Sequence, residues 1–145
     1  MSILQFVYES YVRKENLFDH LTDFENLKNF FPEQIQEIKI LRNSDDLIIT
    51  REEFRFSTYV KNNIIQESRH LLSKPDEIKT EIIQGPAKGT IIEICLKEKN
   101  EKTEVKFHID LKLSLKAKFF SPLIKKLYKN YLHAIMNKIN TMEKG

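Results

Sequence analysis

A chain of 145 residues, 41% hydrophobic and 31% charged, can bury one core and is too apolar and too evenly charged to stay disordered. No apolar run reaches membrane-spanning length, and the first residues, MSILQFVYES, lack a basic segment followed by an apolar one, so a soluble cytoplasmic protein is expected. The single cysteine, Cys95, excludes an internal disulfide and a cysteine-built zinc site and reads as strand packing; with only three glycines there is no glycine-rich phosphate cradle.

Residues 3–12 are apolar and β-prone, with Phe6, Tyr8, Tyr11 and Val12, and read as a strand. RKENLFDHL follows, and Leu17, Phe18 and Leu21 give it the spacing of a short amphipathic helix. TDFENLKNFFPE comes next. Thr22 and Glu25 have capping-box form, with the Thr22 hydroxyl accepting from the Glu25 amide, and Asp23 is an alternative cap. Phe24, Leu27 and Phe31 fall on one helical face, and Pro32 ends the helix by pushing Phe31 toward extended geometry. Two turns do not stand alone in water, so these rings must cover something.

From Ile35 to Leu115 the apolar period changes to two. IQEIKIL, DLIIT, EFRFSTYV, NIIQESRHLL, IKTEII, TIIEICL and TEVKFHIDLKLSL read as strand segments between polar turns, one of them Lys74–Glu77 and another KEKNEK. The last run places Val105, Phe107, Ile109, Leu111, Leu113 and Leu115 on one face, which implies an antiparallel sheet covered on one side. The phase of NIIQESRHLL stays open: either Gln66, Ser68 and His70 point inward, or Glu67, Arg69 and Leu71 do, and Arg69 could then orient a ligand's polar head. From about Lys118 to Glu143 the helical period returns, with Phe120, Leu123, Leu127, Tyr131, Ala134, Ile135 and Ile139 as the apolar stripe and Lys118, Lys125, Lys126, Lys129 and His133 opposite. The expectation is an α+β helix-grip chain of order β-α-α-β(6)-α: one domain, 1–145, whose curved antiparallel sheet wraps a long C-terminal helix.

LTDFENLKNFFPE (Leu21–Glu33), GPAKGTIIEICL (Gly85–Leu96) and NEKTEVKFHIDLKL, in which Lys102 precedes Thr103 where many relatives have glycine, carry a resemblance. The chain resembles the START-like, or SRPBCC, helix-grip superfamily, including polyketide cyclases, lipid-transfer domains and Bet v 1-type pathogenesis-related plant proteins. It looks most like the cyclase/dehydrase-type branch that contains coenzyme Q-binding proteins and a ribosome-associated toxin. The resemblance implies a hydrophobic ligand, such as a lipid, an isoprenoid quinone or a polyketide-like molecule, held between sheet and helix.

The residues that would converge there are Phe56, Ile82, Ile94, Phe107 and Ile109 from the sheet, Phe30 and Phe31 from the short helices, and Leu127, Tyr131 and Ile135 from the long helix, with Tyr59 and Tyr131 supplying hydroxyls at the edge. No metal spacing or catalytic constellation stands out, so no cofactor is expected; Glu52 and Glu53 split across two faces of a strand, and catalysis rests on the family resemblance alone. From Lys112 onward eight lysines face one acid, Glu143. That segment suits a negative partner, an anionic membrane or RNA, through Lys118, Lys125, Lys126 and Lys129; DNA is not expected.

Overall fold

Strand β1 (Ser2–Ser10) leads into α1 (Lys14–Leu21) and a 3₁₀ helix (Phe24–Phe30), and six strands then follow, with no helix between them among the described residues: β2 (Ile35–Ser44), β3 (Leu47–Phe54), β4 (Ile64–Ser73), β5 (Glu77–Gln84), β6 (Ile91–Lys99) and β7 (Lys102–Leu111). A single turn, α2 (Leu115–Lys118), precedes the long helix α3 (Ser121–Lys144). This computed structural model describes residues 2–30, 32–55, 63–119 and 121–144.

The seven strands form one antiparallel sheet in the order β1-β7-β6-β5-β4-β3-β2. Strands β2 to β7 are a meander; β1 returns to the far edge and pairs with β7 from Ser2–Leu111 to Ser10–Thr103. The β6–β7 turn passes through Asn100 and Glu101, both at positive φ (51° and 67°), which matches the strand twist of a tight hairpin. In β7 the alternation holds, with Val105, Phe107, Ile109 and Leu111 buried. It ends there. Leu113 is only partly buried, and Leu115 starts α2 with 81% of its surface exposed.

The register of β2 shifts twice, between Ile35 and Glu37 and between Ile40 and Arg42, and the first bulge leaves Ile35 and Ile38 both buried although three residues apart. Cys95, expected as packing, lies on the exposed outer face, since Ile94 and Leu96 take the inner one. The segment 56–62, with the second half of EFRFSTYV, lies outside the described residues; Glu53 and Phe54 belong to the end of β3.

Helix α3 of 24 residues is about 36 Å long at about 1.5 Å per residue and covers the concave face. Its buried residues are Ile124, Leu132, Ile135, Met136 and Ile139, so the stripe is centred one residue further round than the sequence suggests, and Leu123 is 40% exposed. His133, expected opposite, stacks on Phe6 of β1 at 4.9 Å. The C-terminal half of α3 is tied to β1 by polar contacts: Tyr8 Oη donates to Asn137 Oδ1 (2.6 Å), Asn140 Nδ2 donates to Tyr8 Oη (2.9 Å), and Ser10 Oγ donates to Asn140 Oδ1 (2.6 Å).

The short helical region also departs from expectation. Thr22 forms no capping box; its hydroxyl donates back to the Phe18 carbonyl at 2.8 Å, closing α1. The following turns wind as 3₁₀, whose three-residue period puts Phe24, Leu27 and Phe30 on one ridge. Phe24 and Leu27 are buried and Phe30 is partly so. Phe31 lies outside the described residues.

Candidate functional site

The middle of the concave face is polar. Along β3 the inward positions are Ile48, Thr50 and Glu52; along β4 they are Gln66, Ser68 and His70. The register sets Thr50 opposite Ser68, Glu52 opposite Gln66 and Ile48 opposite His70, so the polar groups converge between two neighbouring strands. The open phase of β4 is thereby decided: Arg69 faces outward, where it pairs with Glu81 of β5. It cannot meet a ligand on the concave side, which corrects its expected role.

His70 is fully engaged. The Thr50 hydroxyl lies 2.8 Å from Nε2 and the Thr80 hydroxyl 2.7 Å from Nδ1, and Phe24 stacks on the ring at 4.0 Å. A neutral imidazole has one donor and one acceptor nitrogen, which the two hydroxyls satisfy. Burial lowers its pKa to about 4, so it stays neutral at ordinary pH. His70 is a strut that fixes β3, β4, β5 and the 3₁₀ helix together.

Glu52 is different. It is 7% exposed, and its Oε2 has no hydrogen-bond partner; neither does Ser68 Oγ. Burial pushes its pKa up to about 7, and the Ser68 and Thr50 hydroxyls and the Gln66 amide beside it pull the other way without cancelling that. From α3, Tyr128 and Tyr131 face the same region. Burial, with a smaller contribution from the nearby Glu52 charge, pushes both phenols upward, so both stay protonated.

These groups border a cavity of about 100 Å³ between α3, the sheet and the 3₁₀ helix. Its polar pole is Glu52, Gln66, Ser68, His70 and Thr80; the rest of the wall is mainly aliphatic and aromatic. No lysine or arginine lines it among the described residues. Of the residues expected to converge, Ile82, Ile94, Tyr131 and Ile135 do line it. Phe107 and Ile109 are buried in the adjoining core, Phe30 packs against that core, and Leu127 is partly buried on α3, but none of these four borders the cavity. Phe56 and Tyr59 lie outside the described residues. Lys118, Lys126 and Lys129 are exposed and Lys125 is partly buried. Glu52, Ser68, Phe24 and Tyr128 were not among the expected site residues. The signal for Glu52 was the alternation Ile48-Thr50-Glu52, which places one carboxylate on the buried face, and Ser68 follows from its pairing with Thr50.

The sequence profile of the family described as polyketide cyclase / dehydrase and lipid transport matches residues 12–139. No curated protein matches the chain in sequence. Among solved structures, a protein of Thermus thermophilus superposes with a TM-score of 0.79 at 10% identity, over 97% of this chain and 95% of that one. The Zhui aromatase/cyclase from a Streptomyces species gives 0.77 at 9% identity, over 99% and 93%. A START superfamily protein from Mycobacterium smegmatis gives 0.78 at 13% identity, over 97% and 98%. At these identities the likeness is one of fold.

Proposed function

The chain belongs to the polyketide cyclase / dehydrase and lipid transport family, and we propose that it binds or carries a hydrophobic small molecule between the sheet and α3. The observation that supports this is the cavity itself: mainly apolar walls, one cluster of polar groups, and a lid made by Phe24 and Leu27. Each Å² of apolar ligand surface removed from water contributes about 25 cal/mol. A volume of about 100 Å³ is below the roughly 150 Å³ cavity that holds a benzene, so a larger ligand enters by displacing the lid. That lid is a short 3₁₀ helix, a geometry with poorer hydrogen bonds than an α-helix, and it is the part best suited to move.

The test is displacement of an environment-sensitive apolar dye. The wild type should bind the dye and release it to competing apolar compounds, and Ile94→Phe, which fills the cavity, should bind at least roughly tenfold more weakly. Equal binding by both would place the dye elsewhere and remove the support. A cyclase or dehydratase reading has one observation in its favour: Glu52 has a pKa raised to about 7 and faces the cavity, as a group that gives and takes protons must.

Delivery at an anionic membrane is supported by the surface around α2. Phe119 is 89% exposed and Leu115 81%, with exposed Lys118 and Lys126 close by in sequence. Apolar side chains insert, and each lysine near an anionic surface adds about 1 kcal/mol. Sedimentation with phosphatidylserine vesicles should show binding that falls with salt and with Phe119→Ser. Salt-independent binding, or binding to RNA in place of vesicles, would overturn this.

A further inference from the structure

The polar cluster restricts what the ligand can be. Glu52 Oε2 and Ser68 Oγ are buried, neither atom makes a well-formed hydrogen bond although the Ser68 hydroxyl lies close enough to the carboxyl to act on its pKa, and both residues border the cavity. Orphaned polar atoms in such a place cost stability unless something bonds to them. His70 is held on both nitrogens by Thr50 and Thr80, and the Tyr128 phenol keeps its proton. With no lysine or arginine in the described lining, a carboxylate or phosphate on the ligand would meet Glu52 with no compensating charge.

We propose that the cavity takes a neutral, mainly apolar molecule bearing a carbonyl oxygen, and that Glu52 and Ser68 hold this oxygen. The proposal rests on the cavity reading above and narrows it. Protonated Glu52 and the Ser68 hydroxyl each donate one hydrogen bond to the two lone pairs of the carbonyl. A bond from a donor in a dry cavity is worth more than in water, so a carbonyl compound is selected over a hydrocarbon of the same shape. Binding then requires the proton on Glu52 and is linked to pH. The groups facing Glu52 are Thr50 on its own strand, Gln66, Ser68 and His70 from β4, and Tyr128 and Tyr131 from α3. His70 is neutral above about pH 4 and the tyrosines remain protonated, so Glu52 is the group among them that titrates near neutrality.

Three probes of one shape test this: cyclohexanone, methylenecyclohexane and cyclohexanecarboxylate, each titrated into methyl-labelled protein and followed by NMR at the Ile82 and Ile94 methyls. At about pH 5.5 cyclohexanone should bind about tenfold tighter than methylenecyclohexane, the gain expected of a buried hydrogen bond, and the carboxylate, titrated at about pH 7 where it is ionised, should not bind. Between about pH 5.5 and about pH 8.5 the cyclohexanone affinity should fall about thirtyfold, as expected for one proton leaving a group near pH 7, while that of methylenecyclohexane stays level. Glu52→Gln, which retains a donor, should keep the preference for the ketone and lose its pH dependence; Ser68→Ala should reduce the preference. If ketone and alkene bind equally, or if ketone binding tightens above neutral pH, the carbonyl assignment is overturned while the cavity reading stands. If no probe moves the two methyls, both fall.

Discussion

Glu52→Gln should change the pH dependence of stability in a way that no surface change would. The side chain keeps its shape and loses its titration. In the folded protein the pKa of Glu52 rises from 4.5 to about 7. Between those values the folded state holds a proton that the unfolded state has released, so stability falls as pH rises. The contribution is complete below 4.5 and gone above about 7. The gap corresponds to about 3 kcal/mol, at about 1.4 kcal/mol per pH unit. His70 works in the opposite sense. Its folded pKa is lowered from 6.5 to about 4, so stability is present above 6.5 and lost as pH falls toward 4. The two effects oppose each other between 4.5 and 6.5, and the wild type should be nearly flat there. In Glu52→Gln the His70 slope stands alone, and the variant's stability relative to wild type should grow by about 3 kcal/mol from about pH 4.5 to about pH 8. Urea unfolding followed by far-ultraviolet circular dichroism at several pH values measures this, the chain having no tryptophan for fluorescence. A constant difference between the two proteins across that range would refute the reasoning.

His70→Ala should cost about 3 kcal/mol, because it leaves the Thr50 and Thr80 hydroxyls unpaired and removes the ring under Phe24; urea midpoints check it, and a loss under about 1 kcal/mol would mean the strut is not structural. Gly85→Ala should cost about 2 kcal/mol, since φ is +115° and the added methyl would stand 2.9 Å from Gln66 Cβ; a thermal scan reads it, and an unchanged melting temperature would count against this turn geometry.

The fold was readable because its strongest signals are local and periodic. The alternation of β7 and the return of a helical period in α3 set sheet against helix, and the placement of two short helical segments after β1 completed the order. What failed was set by tertiary geometry. The 3₁₀ winding puts Phe30 on the ridge with Phe24 and Leu27, and a bulge in β2 brings Ile35 inward beside Ile38, which faces in with Ile40 as its alternation implied. The site was less legible. Ile82, Ile94, Tyr131 and Ile135 follow from apolar periodicity and do line the cavity. The inward phase of β4 does not follow from its own sequence, since both of its faces carry polar residues; pairing with Thr50 and Glu52 of β3 decides it. Arg69, a ligand contact only if its set pointed inward, thus lies outside, and Glu52 was set aside although it is the buried acid.

The most direct test of a hydrophobic ligand in this cavity is native mass spectrometry of freshly purified protein, followed by solvent extraction and mass analysis of what is released. A discrete neutral apolar adduct near one to one, absent from Ile94→Phe, is the predicted result. A bare mass for the wild type, unchanged after incubation with a total lipid extract, would contradict it.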